Sequence, residues 1–347
     1  MISSEFRKDI VSGEWILVAS AIKKKPNFFA KSLRRPKASR RLCPFEDLQK
    51  SQKVAPLFWS PRPNLGGPSR MKLSSWFLQV VPNKFPVLTP HKARLTDGQV
   101  CPVSFSEGPY QKLGGVGFQE LVVTRDHGRS LGFMTKTEIE AVLAAYRERY
   151  FVLKKEKCVE YILIFHNNGP TAGATVAHPH SQILALPIIP PDVGRSISGS
   201  KRYFHEHRRC AHCDMLKKEL KDNARIIYQN KDFVVLCPYA SRVSFEIRLF
   251  PLKHNPNFEN FTEDQGASLA DAMRITFAKL KNAMNDPDYN FFIHTAPAKG
   301  RHTRHYHWHI EILPRTSVWG GVELGTGIEI IKMPPEEAAR ILRKAKA

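Results

Sequence analysis

No uninterrupted apolar stretch in the 347 residues approaches the length of a membrane-crossing helix, which argues against an integral helical membrane protein. Charged Glu5, Arg7, Lys8 and Asp9 stand where a secretory signal would place its apolar segment, so the expectation is a soluble, cytoplasmic chain without a membrane partner. Cysteine is scarce: six in a chain of this length do not suggest a disulfide framework. Cys101, Cys158 and Cys237 stand alone and read as buried small hydrophobes. Acidic residues are few against 53 lysines and arginines, and the net charge of +21 favours polyanionic partners. The segment from Ala21 to Leu42 holds nine basic residues and no carboxylate. Apart from Phe28 and Phe29 it lacks the interleaved aromatics of a base-stacking platform, and no RNA motif is present, so no nucleic acid is expected. A zinc-stapled binding module without chemistry is the competing class of reading, and it rests on the charge.

What is present repeats. Each half carries an aromatic-led strand that stops at a proline, Trp76 to Pro82 and Phe233 to Pro238. A strand follows that opens on Phe and reaches a His nine residues later, Phe118 to His127 and Phe245 to His254. Then comes a helix. Thr137-Glu138-Ile139-Glu140 reads as a capping box, with Ile139, Val142, Leu143, Tyr146 and Tyr150 on one face. Its counterpart starts at Thr262 with Gln265 three residues on, and Leu269, Met273, Phe277, Leu280 and Met284 form its stripe. A β-rich strand returns in each copy, from Tyr161 and from Tyr289, and ends near a histidine cluster. The pattern predicts an α+β protein of two similar halves, residues 1–190 and 191–347, each an antiparallel sheet with a packed helix. Residues 87–117 have no counterpart and read as an inserted loop, Ser317 to Gly327 as turns, and a helix is expected from about Pro334.

In a strand, residues i, i+2 and i+4 share a face, so His178, His180 and Gln182 project together, as do His307, His309 and Glu311. One imidazole of such a set can bind metal while the next presents a ring nitrogen to substrate. A lone histidine is more often a satisfied core residue; two triplets in matching positions argue otherwise. The small residues from Asn167 to Thr175 lead into the first triplet, and their backbone N–H groups are candidates to wrap phosphate oxygens. Cys210 and Cys213, two residues apart, have the spacing of a zinc knuckle and make half a tetrahedral site.

The run His178-Pro179-His180-Ser181-Gln182-Ile183-Leu184 resembles the transferase branch of the histidine triad superfamily, and most closely the galactose-1-phosphate uridylyltransferases. The likeness extends from Arg7-Lys8-Asp9 and Trp15 through Cys43-Pro44-Phe45 to Gly321–Gly327, nearly the whole chain. Such a resemblance implies a nucleotidyltransferase of galactose and carbohydrate metabolism, with ping-pong transfer of UMP from UDP-glucose to galactose 1-phosphate. His180 would be the nucleophile that becomes a covalent uridylyl-histidine, and Gln182 would stabilise it on a phosphate oxygen. Asn167, Gly173 and Thr175 align with the uridylyl-binding loop, Lys25 with a phosphate contact, and Glu323 with a sugar contact. Taken with the repeat, it also implies two zinc sites, Cys43, Glu46, His127 and His178 in the first half and Cys210, Cys213, His254 and His307 in the second. Iron is an alternative for the second, and the family implies a homodimer.

Some positions depart from the family pattern. Glu46 stands where a second cysteine is usual, a harder ligand that weakens the first site. The arginines of an Arg-x-x-Arg-Pro segment are replaced by Lys23-Lys24-Lys25-Pro26, which keep charge but lose the bidentate fork. Ser317 and Val322 occupy the positions of a sugar-phosphate-binding Lys and Tyr. The Gly325-Thr326-Gly327 version of this end also resembles ADP-glucose phosphorylases, where inorganic phosphate accepts the nucleotidyl group, and this is the alternative activity. Gln182 replaces the third histidine of the superfamily's hydrolases, which disfavours hydrolysis.

Overall fold

The computed structural model describes residues 4–20, 39–63, 72–90, 101–102, 104–300 and 303–347. In chain order the first half gives β1 (Glu5–Lys8), β2 (Trp15–Val18), α1 (Leu48–Gln52), β3 (Phe58–Pro61), β4 (Trp76–Pro82), β5 (Ser104–Glu107), β6 (Tyr110–Leu113), β7 (Phe118–Thr124), α2 (Lys136–Lys154), β8 (Tyr161–Asn168) and β9 (His180–Leu186). The second gives α3 (Pro191–His207), α4 (Ala211–Asp222), β10 (Ile226–Gln229), β11 (Phe233–Leu236), β12 (Ile247–Pro251), α5 (Glu263–Met284), β13 (Tyr289–His294), β14 (His309–Pro314), α6 (Gly321–Thr326), β15 (Ile330–Ile331) and α7 (Pro335–Lys344).

The protein is α+β. Ten strands form one sheet in the order β10-β11-β12-β14-β13-β8-β9-β7-β4-β3, five from each copy of the repeat. The copies meet where β8 and β13 pair antiparallel, with Asn168 opposite Tyr289 and Ile164 opposite Ile293. Each copy repeats one pairing scheme. β9 lies between β7 and β8, with Gln182 facing Leu121 and Phe165, and β14 lies between β12 and β13, with Glu311 facing Arg248 and Phe292.

Both long helices cover the same face of this sheet. Ile139, Val142, Leu143, Tyr146 and Tyr150 of α2 and Leu269, Met273, Phe277 and Leu280 of α5 are buried in one core with Ile162, Ile164, Ile183, Ile310 and Ile312. A Leu-to-Ala truncation in such a stripe costs about 2–5 kcal/mol, so these stripes fix which face is left for chemistry. The cap of α5 is the expected one, Thr262 with Gln265. The cap of α2 lies two residues earlier than the Thr137 reading, because Thr135 Oγ1 accepts from the Glu138 N–H while the Glu138 carboxylate accepts from Thr135 N–H.

Other expectations are corrected. Cys101 and Cys158 do not stand alone: they are joined as a disulfide across 57 residues, because the close of α2 and the segment before β5 approach to a Cα separation of 5.1 Å. Cys237 is fully buried. The inserted segment contains the hairpin β5–β6, paired from Ser104–Leu113 to Glu107–Tyr110. Within the turn-rich stretch, Gly321–Thr326 forms a short helix. The helix read from Pro334 begins at Pro335.

Outside the main sheet, β1, β2 and β15 form a small one that carries the chain start onto the second half. Arg7 and Arg225 clamp Glu336 of α7 at 2.9 and 2.6 Å. Burial alone would raise the Glu336 carboxyl, but the hydrogen bonds from Arg7 and Arg225 outweigh it and hold it below 4.5, the ordinary glutamate value. A depressed carboxylate contributes stability above its unfolded pKa and loses it as pH falls through the folded one. Because Glu336 is one-third exposed, Glu336→Gln should cost no more than about 1 kcal/mol at pH 7. In urea titrations against pH, the gap from the parent protein should close as pH drops below 4.5; a gap independent of pH would contradict the clamp.

Candidate functional site

β9 alternates strictly. Ser181, Ile183 and Ala185 point to the helices, Ser181 Oγ accepting the Tyr146 hydroxyl at 2.5 Å, and His180 and Gln182 therefore face the opposite side. His178 precedes the strand, and its ring hydrogen-bonds across to the carbonyl of Thr124 at the end of β7, Nε2 to O 2.6 Å. That bond requires the proton on Nε2 and turns the Nδ1 lone pair toward Cys43 Sγ at 3.5 Å. The backbone carbonyl of His178 in turn accepts a hydrogen bond from His180 Nδ1 at 2.9 Å. The proton of a neutral His180 is thereby placed on Nδ1, and Nε2 keeps its lone pair. Burial lowers the His180 pKa, against the raising effect of that same hydrogen bond, so the ring is neutral near pH 7. Phe45 packs against it, ring centroids 5.0 Å apart.

Cys43, Glu46, His127 and His178 converge, each offering a ligand atom within 4.8 Å of the others. His127 Nδ1 lies 2.7 Å from Glu46 Oε1, yet both its ring nitrogens are buried without a hydrogen bond. Orphaned nitrogens beside a thiol and a carboxylate are what a cation would satisfy.

The second group repeats this geometry with sulfur in place of the carboxylate. Cys210, Cys213, His254 and His307 converge. Cys210 caps α4 and Cys213 lies in its first turn. Cys213 Sγ sits 3.3 Å from His254 Nδ1 and 3.6 Å from His307 Nδ1, while His307 Nε2 is held by the Pro251 carbonyl at 3.0 Å. The hydrogen bond from Cys213, with further ones from the neighbouring imidazoles, holds the Cys210 thiol far below its usual range. A helix N-terminus that stabilises a thiolate beside two imidazoles suits a soft divalent cation.

The loop after β8 is built on two glycines with positive φ, Gly169 at 88° and Gly173 at 84°. A Cβ on Gly169 would lie 1.8 Å from Asp288 Oδ1. Four of this loop's N–H groups already have partners within the protein. Those of Ala172, Gly173 and Ala174 bond to carbonyls within the loop, and that of Thr171 bonds to Asp288. The loop instead shapes the approach to Asn167, whose side-chain Oδ1 accepts from Asn290 at 2.8 Å. Thr175 is exposed. Lys25 lies outside the described residues. Glu323 accepts the Gly320 N–H at 2.9 Å, so its carboxylate caps its own short helix. Ser317 and Val322 are exposed.

His309, the counterpart of His180, has a different environment. Its Nδ1 also bonds to a carbonyl two residues back, at 3.2 Å, but the ring is stacked between Phe250 and His294. Glu311 Oε1 lies 3.5 Å from its Nε2, and Arg248 binds Glu311 at 3.0 Å. Burial pushes the His309 pKa down to about 3. His294, His309 and Glu311 form a third convergent group. The motif readings missed three participants: Gln119, Asn290 and Arg248. Two were within reach, since aligning Phe118–His127 with Phe245–His254 pairs Gln119 with Glu246 and Leu121 with Arg248.

Comparison with known proteins agrees with this geometry. The family model for galactose-1-phosphate uridyl transferase matches its N-terminal domain to residues 117–190 and its C-terminal domain to residues 197–331. The ADP-glucose phosphorylase of Arabidopsis thaliana is 31% identical over 347 residues, covering 99% of this chain and 93% of that protein. The galactose-1-phosphate uridylyltransferase of Thermotoga maritima is 30% identical over 255 residues, covering 71% and 80%. Among solved structures, an Arabidopsis thaliana ADP-glucose phosphorylase with bound ADP-glucose superposes with a TM-score of 0.79 at 29% identity, covering 99% of this chain and all of that one. A uridylyltransferase structure superposes with a TM-score of 0.69 at 27% identity, covering 98% and 97%.

Proposed function

The chain belongs to the galactose-1-phosphate uridyl transferase family and is a nucleotidyltransferase, and we propose that it transfers a nucleoside monophosphate from a nucleoside diphosphate hexose by way of a covalent bond to His180. The observation that carries this is the His180 Nδ1 bond to the His178 carbonyl, which leaves Nε2 unprotonated as the candidate nucleophile, on the sheet face opposite the long helices. In the first step the Nε2 lone pair attacks the α-phosphorus. An N–P bond forms, the P–O bond to the hexose 1-phosphate breaks, and the hexose 1-phosphate departs with the electron pair. In the second, an acceptor phosphate oxygen attacks the same phosphorus and the N–P bond breaks, returning the lone pair to His180. Gln182 and Asn167 steady the charged phosphoryl oxygens.

Two substrate readings follow. UDP-glucose with galactose 1-phosphate as acceptor is supported by the family model across both halves. ADP-glucose with inorganic phosphate as acceptor is supported by the full-length likeness to ADP-glucose phosphorylase. It also draws on the exposed Ser317 and Val322 and the self-capped Glu323, which leave this end without the expected hold on a sugar phosphate. Incubating each donor with each acceptor separates them, because the productive pair turns over. Labelled donor alone should leave acid-labile label on the protein. His180→Ala should lose both label and turnover by at least ~10³-fold; retained label would refute the assignment.

The cysteine and histidine groups fit zinc. Cys210, Cys213, His254 and His307 offer a closed S₂N₂ set, and its two sulfurs argue for zinc over iron. Cys43, Glu46, His127 and His178 offer one sulfur, two nitrogens and a carboxylate. When bound, zinc at either group supplies structure rather than bond-making, by fixing the strand leads into His180 and β14. Elemental analysis should find zinc that Cys213→Ser loses, with a lowered Tm, whereas Glu46→Cys should raise zinc content at the first group. Unchanged zinc in Cys213→Ser would contradict the second site.

A further inference from the structure

Two pairs of side-chain amides lie on the sheet face that carries His180, and each pair is anchored by a backbone group of unambiguous polarity. The N–H of Val87 can only donate, and it donates to Gln119 Oε1 at 2.8 Å. The other end of Gln119 is therefore its NH₂, which donates to Gln182 Oε1 at 2.8 Å. The carbonyl of Ala172 can only accept, and it accepts from Asn290 Nδ2 at 2.8 Å. The same Nδ2 donates to Asn167 Oδ1 at 2.8 Å. In both pairs the oxygen of the amide nearer His180 is consumed by a neighbouring strand.

We infer that Gln119 and Asn290 are positioning residues that fix Gln182 and Asn167 as donors, so that the site presents NH₂ groups, and no amide oxygen, to a phosphate. The inference rests on the nucleotidyl-transfer reading and adds to it what sets the polarity of the site. Strand register agrees. Gln182 shares its face with His180, and pairing β8 with β9 one step past His166–Ser181 brings Asn167 opposite His180. The second copy supports the same logic by contrast. The positions matching Gln119, Gln182 and Asn167 hold Glu246, Glu311 and His294, and the two carboxylates bind Arg248 at 2.9 and 3.0 Å. Both carboxylates face the Arg248 guanidinium, so that copy has no side-chain amide to donate beside its imidazole. Asn290 comes from the second half, so the proposed donor site of the first half is completed only by the joined sheet.

The test uses Gln119→Glu, Asn290→Asp and Gln182→Met in the full-length protein. A carboxylate at 119 still accepts from Val87 but turns the Gln182 NH₂ toward itself and its oxygen toward the phosphate. By calorimetry, AMP and UMP binding should weaken about tenfold to a hundredfold in Gln119→Glu, the range for a hydrogen bond to a charged group. The Tm should stay at the parent value. In the Gln182→Met background, Gln119→Glu should have no further effect, because its action passes through Gln182. Asn290→Asp should weaken binding independently through Asn167. Binding in Gln119→Glu within twofold of the parent, an equal loss in the Gln182→Met background, or a parent protein that binds neither nucleotide would overturn the inference. A parent that binds nucleotide but never acquires covalent label would defeat the reading of His180 alone, leaving the binding arms to decide the role of the amides.

Discussion

One backbone carbonyl, that of His178, organises the candidate site. It accepts the proton-bearing nitrogen of His180, and the residue that owns it is itself fixed by its ring, Nε2 on the Thr124 carbonyl and Nδ1 in the cysteine–carboxylate group. Imidazole tautomers differ little in energy in water, so a single well-formed bond is enough to decide which nitrogen is free. The candidate metal-ligand group and the proposed nucleophile are thus two ends of one short lever, which is why their residues alternate along three positions of chain.

Duplication and divergence explain the rest of the plan. Both copies keep the same lever, since His307 is held by the Pro251 carbonyl and His309 by that of His307. They differ in what faces the second imidazole. Around His180 stand neutral amides; around His309 stand Glu311, Arg248 and Glu246, with Phe250 and His294 covering the ring. A buried charge network of this kind is costly unless fully paired, and here Arg248 pairs with both Glu246 and Glu311. The second copy also contributes to the first, donating Asn290 across the β8–β13 seam.

Legibility followed the range of the interaction. The stripes of α2 and α5 and the Thr262 cap were readable because they rest on residues three or four apart. The α2 cap was misplaced by two residues because Thr135 and Thr137 both precede acidic residues and only the packed helix start selects between them. The two metal-ligand groups followed from repeated spacing and family likeness together, and the chain does bring each of them together. The Cys101–Cys158 bond was not readable, since nothing local relates residues 57 apart. The loop from Asn167 to Thr175 was recognised by composition, but the N–H groups of Thr171, Ala172, Gly173 and Ala174 have partners within the protein, a matter of turn geometry that composition does not encode.

The amino-acid order alone determined the α+β class, the doubling, the sheet-face alternation that sets His180 beside Gln182, and the family, because each depends on periodicity or on motifs a few residues long. Tertiary structure alone decided that the copies fuse into one sheet, that Glu246, Arg248 and Glu311 form a charged network beside His309, and that Gln119 and Asn290 bond to Gln182 and Asn167. Those outcomes depend on which strands become neighbours. Strand pairing joins residues more than a hundred positions apart, as with Asn290 and Asn167, through hydrogen bonds whose partners exist only once the chain has folded.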